Sequence, residues 1–299
     1  MIPAMFDYFA PSTLEEATRL LKQHGPDAKL LAGGHSLIPL MKLRLASPQV
    51  LVDLNGVADL AGIEESDGHL RIGAMTRHAE LEASELISDR YPLIADAAAV
   101  IADPLVRNRG TIGGSLAHAD PAGDLASVMT ALRAEVVLIG PAGRRALPFG
   151  GSKNERTVPI DDFLVGLFTT ALEPNEVLTE VRVPMPNGGS GGAYEKLERK
   201  VGDFATVAIA VQLTVRDGSC AEVGIALTAV GPTNIRARQA EDSLRGGNLD
   251  EQSLRAAADL AAQEAQPAAD LRGSEAYKRD MVRVLTLRAL RRALERATR

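Results

Sequence analysis

Two double-glycine turns constrain this chain more than any other feature of its sequence. They are Ala32-Gly33-Gly34-His35-Ser36 and Thr111-Ile112-Gly113-Gly114-Ser115, and each follows an apolar or buried-looking stretch. Because glycine has no Cβ, its backbone N–H groups can approach an anion closely, and a following serine adds a hydroxyl donor to the same concave surface. Both turns are therefore candidates for binding phosphate.

The motifs that are missing narrow the kind of phosphate site. The dinucleotide fingerprint G-x-G-x-x-G is absent, and no glycine is followed by the Lys-Ser or Lys-Thr pair of a P-loop. Either turn taken alone is equally well explained as an ordinary tight turn, since glycine commonly marks turns. Taken together with their flanks, the two turns favour a flavin nucleotide.

Composition indicates an ordinary globular protein. Of its 299 residues, 45% are hydrophobic and 24% are charged, which is enough for two domain cores without disulfide or metal support. The net charge of −6 offers no basic field for nucleic acid or an anionic membrane surface. The single cysteine, Cys220, excludes an internal disulfide and any iron–sulfur cluster ligated within the chain, and we expect a reduced thiol on a strand.

The first ten residues and the apolar runs of the chain indicate where in the cell the protein is located. The first ten residues lack a basic region, and no apolar run reaches the roughly 20 residues that span a bilayer. We therefore expect no membrane span and a cytoplasmic protein.

Hydrophobic periodicity predicts a small α/β unit at the N-terminus. Residues 13–21 and 36–45 have helical spacing, and residues 29–32 and 50–54 are predicted to be short buried strands. The first glycine turn thus lies between a strand and a helix.

A second subdomain is predicted from Leu70 onward, with strands at 70–72 and 135–139 and helices from about Thr76, at 92–101 and at 121–132. Residues 184–192, PMPNGGSGG, form the most linker-like segment, so a domain boundary is expected close to it. An α+β domain follows, with strands at 206–215 and 222–230 and helices at 236–244, 249–264 and 275–297.

Two longer segments resemble a known family. Residues 30–42, LLAGGHSLIPLMK, and residues 111–124, TIGGSLAHADPAGD, closely resemble the FAD-binding medium subunits of molybdenum hydroxylases, which include those of carbon monoxide and xanthine dehydrogenases. Residues 194–200 and 272–278 also resemble this family, so the similarity spans essentially the whole chain.

The resemblance implies an α+β fold. A two-subdomain FAD-binding domain of the vanillyl-alcohol-oxidase (PCMH) type would cover residues 1–177, with subdomains at about 1–55 and 56–177. A flavoprotein C-terminal α+β domain would cover residues 178–299. FAD would lie between the two subdomains.

By position, the resemblance also implies which residues contact FAD. Both glycine turns would cradle the pyrophosphate, Asp124 would make a polar contact, and Ile101 would line the flavin pocket. Tyr194 would cover the flavin ring, with the glycines before it as a hinge. The implied contacts are Leu30, Leu31, Ala32, Gly33, Gly34, His35, Ser36, Leu37, Ile101, Thr111, Ile112, Gly113, Gly114, Ser115, Asp124, Leu178, Tyr194 and Lys196.

No catalytic residue and no metal ligand of this chain follow from the resemblance. It implies an oxidoreductase subunit in which electrons pass from molybdopterin through two 2Fe–2S clusters to FAD and then to an external acceptor. The molybdenum and the clusters would belong to a large molybdenum subunit and a small iron–sulfur subunit, assembled with this chain as a dimer of heterotrimers.

Several of these residues keep a second interpretation. Asp120 before Pro121 is interpreted as a helix N-cap, and Asp124 is compatible with a role at the helix dipole. Tyr194 is equally consistent with a core aromatic, and Lys196 with a solvated lysine. The arginines of the last helix fit a solvated face, with a subunit contact as the alternative. The histidines and carboxylates that could be imagined as a metal site lack a tight spacing such as H-E-x-x-H: His35, His78, His118, Asp120 and Asp124.

Three functions remain open at this point: an FAD electron-transfer subunit, a free-standing FAD-dependent oxidoreductase with its own substrate site, and a flavin-free interaction subunit. We favour the first, because the sequence shows no acid, base or nucleophile constellation beyond the flavin residues. All four glycines of the two turns remain, which argues against a degenerate scaffold.

Overall fold

The computed structural model describes residues 2–141 and 155–299. Within these ranges the strands form three larger sheets and one short hairpin.

The N-terminal unit is a parallel sheet of three strands in the order β1-β3-β2. Its elements are β1 (Asp7–Phe9), α1 (Leu14–His24), β2 (Ala28–Leu31), α2 (Leu37–Lys42) and β3 (Val50–Asp53). Thr13 caps α1 by accepting a hydrogen bond from the Glu16 amide. Because β2 and β3 are parallel neighbours, the segments that follow them leave the sheet at the same edge. The first glycine turn is one of these segments.

The second unit is an antiparallel sheet of five strands in the order β4-β5-β10-β6-β7, packed against helices. Its strands are β4 (Ile63–Ser66), β5 (His69–Gly73), β6 (Glu135–Ile139), β7 (Glu155–Pro159) and β10 (Val177–Pro184), with a hairpin of β8 (Leu164–Gly166) and β9 (Thr169–Thr170). Its helices are α3 (His78–Ala83), α4 (Glu85–Arg90), α5 (Pro92–Ala99), α6 (Pro104–Arg107), α7 (Ile112–His118), α8 (Asp124–Ala131) and α9 (Ile160–Phe163). Every residue of α8 is buried, so this helix is the centre of the main core.

The C-terminal unit is an antiparallel sheet with three helices. Its elements are β11 (Ser190–Leu197), β12 (Val207–Arg216), β13 (Ser219–Thr228), β14 (Ile235–Arg236), α10 (Arg238–Leu244), α11 (Glu251–Glu264) and α12 (Glu275–Ala297). α12 packs on β11 and β12, while α5 and α8 of the second unit also pack against this sheet. Cys220 is a buried cysteine in β13, which confirms its predicted place on a strand.

The predicted glycine linker is wrong for its last three residues. Gly191 and Gly192 lie inside β11, and a Cβ on Gly191 would sit 2.2 Å from the carbonyl oxygen of Ala293 in α12. A Cβ on Gly192 would sit 2.8 Å from the Cβ of Leu93 in α5. These glycines let helices of two units approach β11 closely, so residues 190–192 form a packed contact between the units and not a flexible linker.

Two other predictions need correction. The helix predicted at 121–132 begins only at Asp124, because Asp120 closes a turn by accepting a hydrogen bond from the Ala122 amide at 2.9 Å; Asp120 is therefore not its N-cap. The solvated-face interpretation of the α12 arginines is wrong for two of them, since Arg292 and Arg296 bind the Asp96 carboxylate at 2.9 and 2.6 Å.

The predicted division between residues 177 and 178 falls at the start of β10, which pairs with β5 and β6. A boundary there would separate β10 from its sheet. In the part of the chain that the structure describes, no helix has the length and apolar character needed to cross a membrane.

Candidate cofactor-binding site

The structure brings the two glycine turns into contact. A Cβ on Gly33 would lie 2.3 Å from the carbonyl oxygen of Arg109, just before the second turn. A Cβ on Gly114 would lie 3.6 Å from the Cβ of Ala32. Residue 33 therefore cannot carry a side chain unless the neighbouring backbone moves, and the two turns form one continuous surface.

The first turn keeps a row of backbone N–H groups free. Within residues 2–141 and 155–299, the amides of Gly33, Gly34, His35 and Ser36 donate to no acceptor. Gly34 has a φ of 78°, a conformation that favours glycine, and a Cβ there would sit 2.7 Å from Ile38 Cδ1. Successive free amides in a tight turn are an arrangement that binds phosphate oxygens. This turn fits the pyrophosphate of a dinucleotide.

The second turn differs from its prediction because its amides are already used. The Ile112 and Gly113 amides donate to the carbonyl oxygens of Thr76 and Ala74 at 3.1 and 2.9 Å. The Gly114 amide donates to Thr111 Oγ1 at 3.1 Å. Gly113 serves close packing instead, since a Cβ there would lie 2.5 Å from the Cβ of Ala74. The second turn therefore contributes a closely packed surface rather than a row of free N–H donors.

A buried polar cluster lies beyond the second turn. Asp124 accepts from Tyr194 Oη at 2.8 Å and from Lys196 Nζ at 3.0 Å. Lys196 Nζ also donates to the carbonyl oxygen of Val100 at 3.0 Å, directly before Ile101. The structure thus brings together Asp124, Tyr194 and Lys196 and places Lys196 against the chain segment that carries Ile101.

Burial dominates the electrostatics of this cluster. It raises the pKa of the Asp124 carboxyl, while the Lys196 ammonium and the Tyr194 hydroxyl oppose that rise. Burial and the neighbouring Asp124 hold the pKa of Tyr194 well above its usual value, so its phenol remains a hydrogen-bond donor. The Asp124–Lys196 ion pair has side chains that are 9% and 4% exposed, so each charge depends on the other.

Two residues assigned to FAD by resemblance lie in the main core. Tyr194 is only 4% exposed and belongs to the main core, so the core-aromatic interpretation describes it better than a mobile cover. Leu178 in β10 is 5% exposed and belongs to the same core. In the described ranges, no group of three or more His, Cys, Asp or Glu side chains is arranged to hold a metal ion.

The sequence singled out His78 only as a conceivable metal ligand, whereas the structure shows that it supports the second turn. Its amide donates to the Gly110 carbonyl oxygen at 3.0 Å, and its ring fills the space that a Cβ on Gly110 would need. Burial, followed by the charges of Arg77, His35 and Arg107, lowers the pKa of His78 from 6.5 to about 4. No sequence motif points to this contact.

Asn55 was missed, although a signal existed. It follows β3, the parallel neighbour of β2, and therefore leaves the sheet beside the first glycine turn. The rule that ligand sites form where parallel strands end would have singled it out.

Two protein families match consecutive parts of the chain. The family described as the FAD binding domain in molybdopterin dehydrogenase matches residues 4–186. The family described as the CO dehydrogenase flavoprotein C-terminal domain matches residues 192–293.

Individual relatives match over the full length. The chain is 46% identical to the carbon monoxide dehydrogenase medium chain of Hydrogenophaga pseudoflava, with 99% of each chain covered. It is 41% identical to subunit alpha of the 6-hydroxypseudooxynicotine dehydrogenase complex of Paenarthrobacter nicotinovorans, covering 99% of this chain and 97% of that one. A crystal structure of the Hydrogenophaga pseudoflava carbon monoxide dehydrogenase superposes with a TM-score of 0.93 at 47% identity, covering 99% of both chains.

Proposed function

Because this chain belongs to the family of FAD-binding medium subunits of molybdenum hydroxylases, we propose that it receives electrons from iron–sulfur clusters of a partner and passes them through FAD to an external acceptor. Bound FAD supplies the redox chemistry, and the chain supplies binding, orientation and electrostatics.

The row of free amides in the first turn is the observation that carries this proposal. The amides of Gly33 to Ser36 would donate to the pyrophosphate oxygens, without a side chain between them and the phosphate. The second turn would form the opposite wall and add the hydroxyl of Ser115. Leu30, Leu31 and Leu37 flank the first turn and would contact the cofactor from β2 and α2.

The buried polar cluster supports an assignment of the flavin end. Lys196 holds the end of α5 through the Val100 carbonyl, and Ile101 follows directly, which suits a residue that lines the flavin pocket. Asp124 would offer its carboxylate to FAD while Tyr194 and Lys196 fix its position. In this arrangement Tyr194 keeps Asp124 in position, and Leu178 contributes as part of the core that supports the site.

An exposed apolar surface close to Ile101 is the proposed docking site of the iron–sulfur partner. Leu105, Val201 and Phe204 are 76%, 95% and 53% exposed. The loop that carries Val201 and Phe204 meets the segment just before α6, the helix of Leu105, because a Cβ on Gly202 would lie 3.0 Å from the Ala102 carbonyl oxygen. Electron transfer requires a specific interface near the flavin, and exposed apolar groups mark such surfaces.

We propose further that the partners are a small iron–sulfur chain and a large molybdenum chain, in a cytoplasmic dimer of heterotrimers. The names of the relatives support this, since they are a medium chain and a subunit of a dehydrogenase complex. We place the domain boundary in the loop 185–189, which leaves β10 and β11 in their own sheets.

Co-expression of the chain with an iron–sulfur and a molybdenum subunit tests this proposal. Size-exclusion chromatography should show one complex containing FAD, iron and molybdenum. Val201→Asp in the apolar surface should weaken the complex, whereas Met5→Asp, at a residue that is 94% exposed before β1, should not.

The chain purified without its partners provides a second test of the proposal. It should oxidise no hydroxylase substrate, while dithionite still bleaches its flavin. A chain that elutes alone at every concentration, without iron or molybdenum, would contradict the proposal. Substrate turnover by the lone chain would support a free-standing oxidoreductase instead.

A further inference from the structure

Two side chains outside the assigned cofactor contacts connect the glycine turns. Asn55 Nδ2 donates to the carbonyl oxygen of Ala32 at 3.1 Å, and Asn55 Oδ1 accepts from Arg77 Nη2. Arg77 Nη1 donates to the carbonyl oxygen of Arg109 at 2.5 Å. A continuous hydrogen-bonded bridge therefore runs from the first turn to the residue pair that precedes the second. We call it the Asn55–Arg77 bridge.

The bridge ends on the atom that sets the distance between the turns. The Arg109 carbonyl oxygen is the atom that a Cβ on Gly33 would meet at 2.3 Å. Arg77 thus fixes the surface against which Gly33 packs. The backbone of Arg77 also pairs with Thr111 in an antiparallel bridge, so one residue holds the second turn through both main chain and side chain.

The other end of the bridge is anchored in the first sheet. Asp53, the last residue of β3, accepts from the Asn55 amide at 2.9 Å. The same carboxylate accepts from Tyr8 Oη at 2.6 Å. The orientation of Asn55 is therefore set by β1 and β3 rather than by the glycine turn that it holds.

We propose that Asn55 and Arg77 are positioning residues that set the spacing of the two glycine turns and thereby the affinity for FAD. This inference rests on the proposed function, in which the first turn binds the pyrophosphate. It does not require either side chain to touch the cofactor. The Arg77 guanidinium uses two separate nitrogens on two acceptors, a fork that the single nitrogen of a lysine cannot reproduce.

The test measures the FAD dissociation constant of the purified full chain, with far-UV circular dichroism of each variant as a check on folding. Asn55→Ala, Arg77→Gln and Arg77→Lys should each weaken FAD binding by about tenfold or more. Each substitution removes at least one hydrogen bond of the charged Arg77 guanidinium, and such bonds are stronger than those between neutral groups. Because one broken link opens the whole bridge, Asn55→Ala combined with Arg77→Gln should be about as weak as the weaker single variant.

Arg71→Gln is the matched control. Arg71 is a half-buried arginine in β5 that binds Glu180 in β10 at 2.6 Å and takes no part in the Asn55–Arg77 bridge, so its loss should leave FAD binding unchanged. The variant Asn55→Asp keeps nearly the same shape but removes the Nδ2 donor, which also contacts the Asp53 carboxylate, and adds a negative charge beside that carboxylate. It should reproduce the loss seen with Asn55→Ala.

Each alternative outcome contradicts a distinct claim. Wild-type affinity in Arg77→Lys would mean that only the positive charge matters, and additive effects in the double variant would mean that the residues act separately; either result overturns the bridge. Loss of affinity only in variants that have lost their native circular dichroism would also overturn it. A wild-type chain that binds no FAD would refute the proposed function itself.

Discussion

Acidification should destabilise the protein through His78. The pKa of this buried imidazole falls from the ordinary 6.5 to about 4 in the folded chain, because burial and neighbouring cations disfavour its charged form. At about 1.36 kcal/mol for each pKa unit, the neutral imidazole contributes about 3 kcal/mol to the unfolding free energy. Since the folded pKa is depressed, the unfolded chain binds the extra proton, so this contribution is complete above about pH 6.5 and is lost as the pH falls toward 4.

Urea unfolding of the wild type and His78→Phe at several pH values measures this contribution. Between pH 7 and pH 5 the wild type should lose about 2 kcal/mol more than the variant, whose aromatic ring cannot be protonated. Carboxylates titrate in both proteins and cancel in the difference. Because His78 braces Gly110, FAD should also be released more readily from the wild type as the pH falls. Parallel stability profiles for the two proteins would refute the argument.

Three further substitutions test the site and the joint between domains. Gly113→Val should abolish FAD binding, because its Cβ would lie 2.5 Å from the Cβ of Ala74. The control Gly188→Ala, whose Cβ would have no atom within 4 Å, should bind FAD as the wild type does. Equal FAD binding by the two variants would contradict this packing argument. Lys196→Met should lower the unfolding free energy by about 3–5 kcal/mol, because it leaves the buried Asp124 carboxylate unpaired. The exposed Lys200→Met is its control, and equal stability of the two would count against the buried ion pair. Asp96→Asn should speed hydrogen exchange in α12, because it removes the carboxylate that Arg292 and Arg296 share. Asp259→Asn, which removes an exposed partner of Arg283, should have little effect, and unchanged exchange in Asp96→Asn would exclude a role of Asp96 in docking α12.

Local patterns predicted the elements whose partners lie nearby in sequence. The strand Glu135–Ile139 and the helix Glu275–Ala297 have the predicted bounds, since periodicity and caps act within a few residues. Residues 190–192 show the limit of such patterns. Their composition is that of a flexible linker, yet a Cβ on Gly191 would collide with α12 and a Cβ on Gly192 would collide with α5.

The two turns of the candidate site could be recognised in the sequence, but their hydrogen bonds could not. The double glycines marked both turns, and the structure places these turns side by side. The acceptors that occupy the second turn's amides are Ala74 and Thr76, which no local pattern links to that turn. The Asn55–Arg77 bridge depends likewise on four segments that meet only in the folded chain.

The FAD content of the purified chain, alone and with its partners, is the decisive measurement for the cofactor site. We expect about one FAD per wild-type chain and per Gly188→Ala chain. We expect almost none in Gly33→Ala, because a Cβ at residue 33 would lie 2.3 Å from the Arg109 carbonyl oxygen and would force the two turns apart. Full FAD content in a natively folded Gly33→Ala protein would contradict the claim that the contact between the two turns forms the cofactor site.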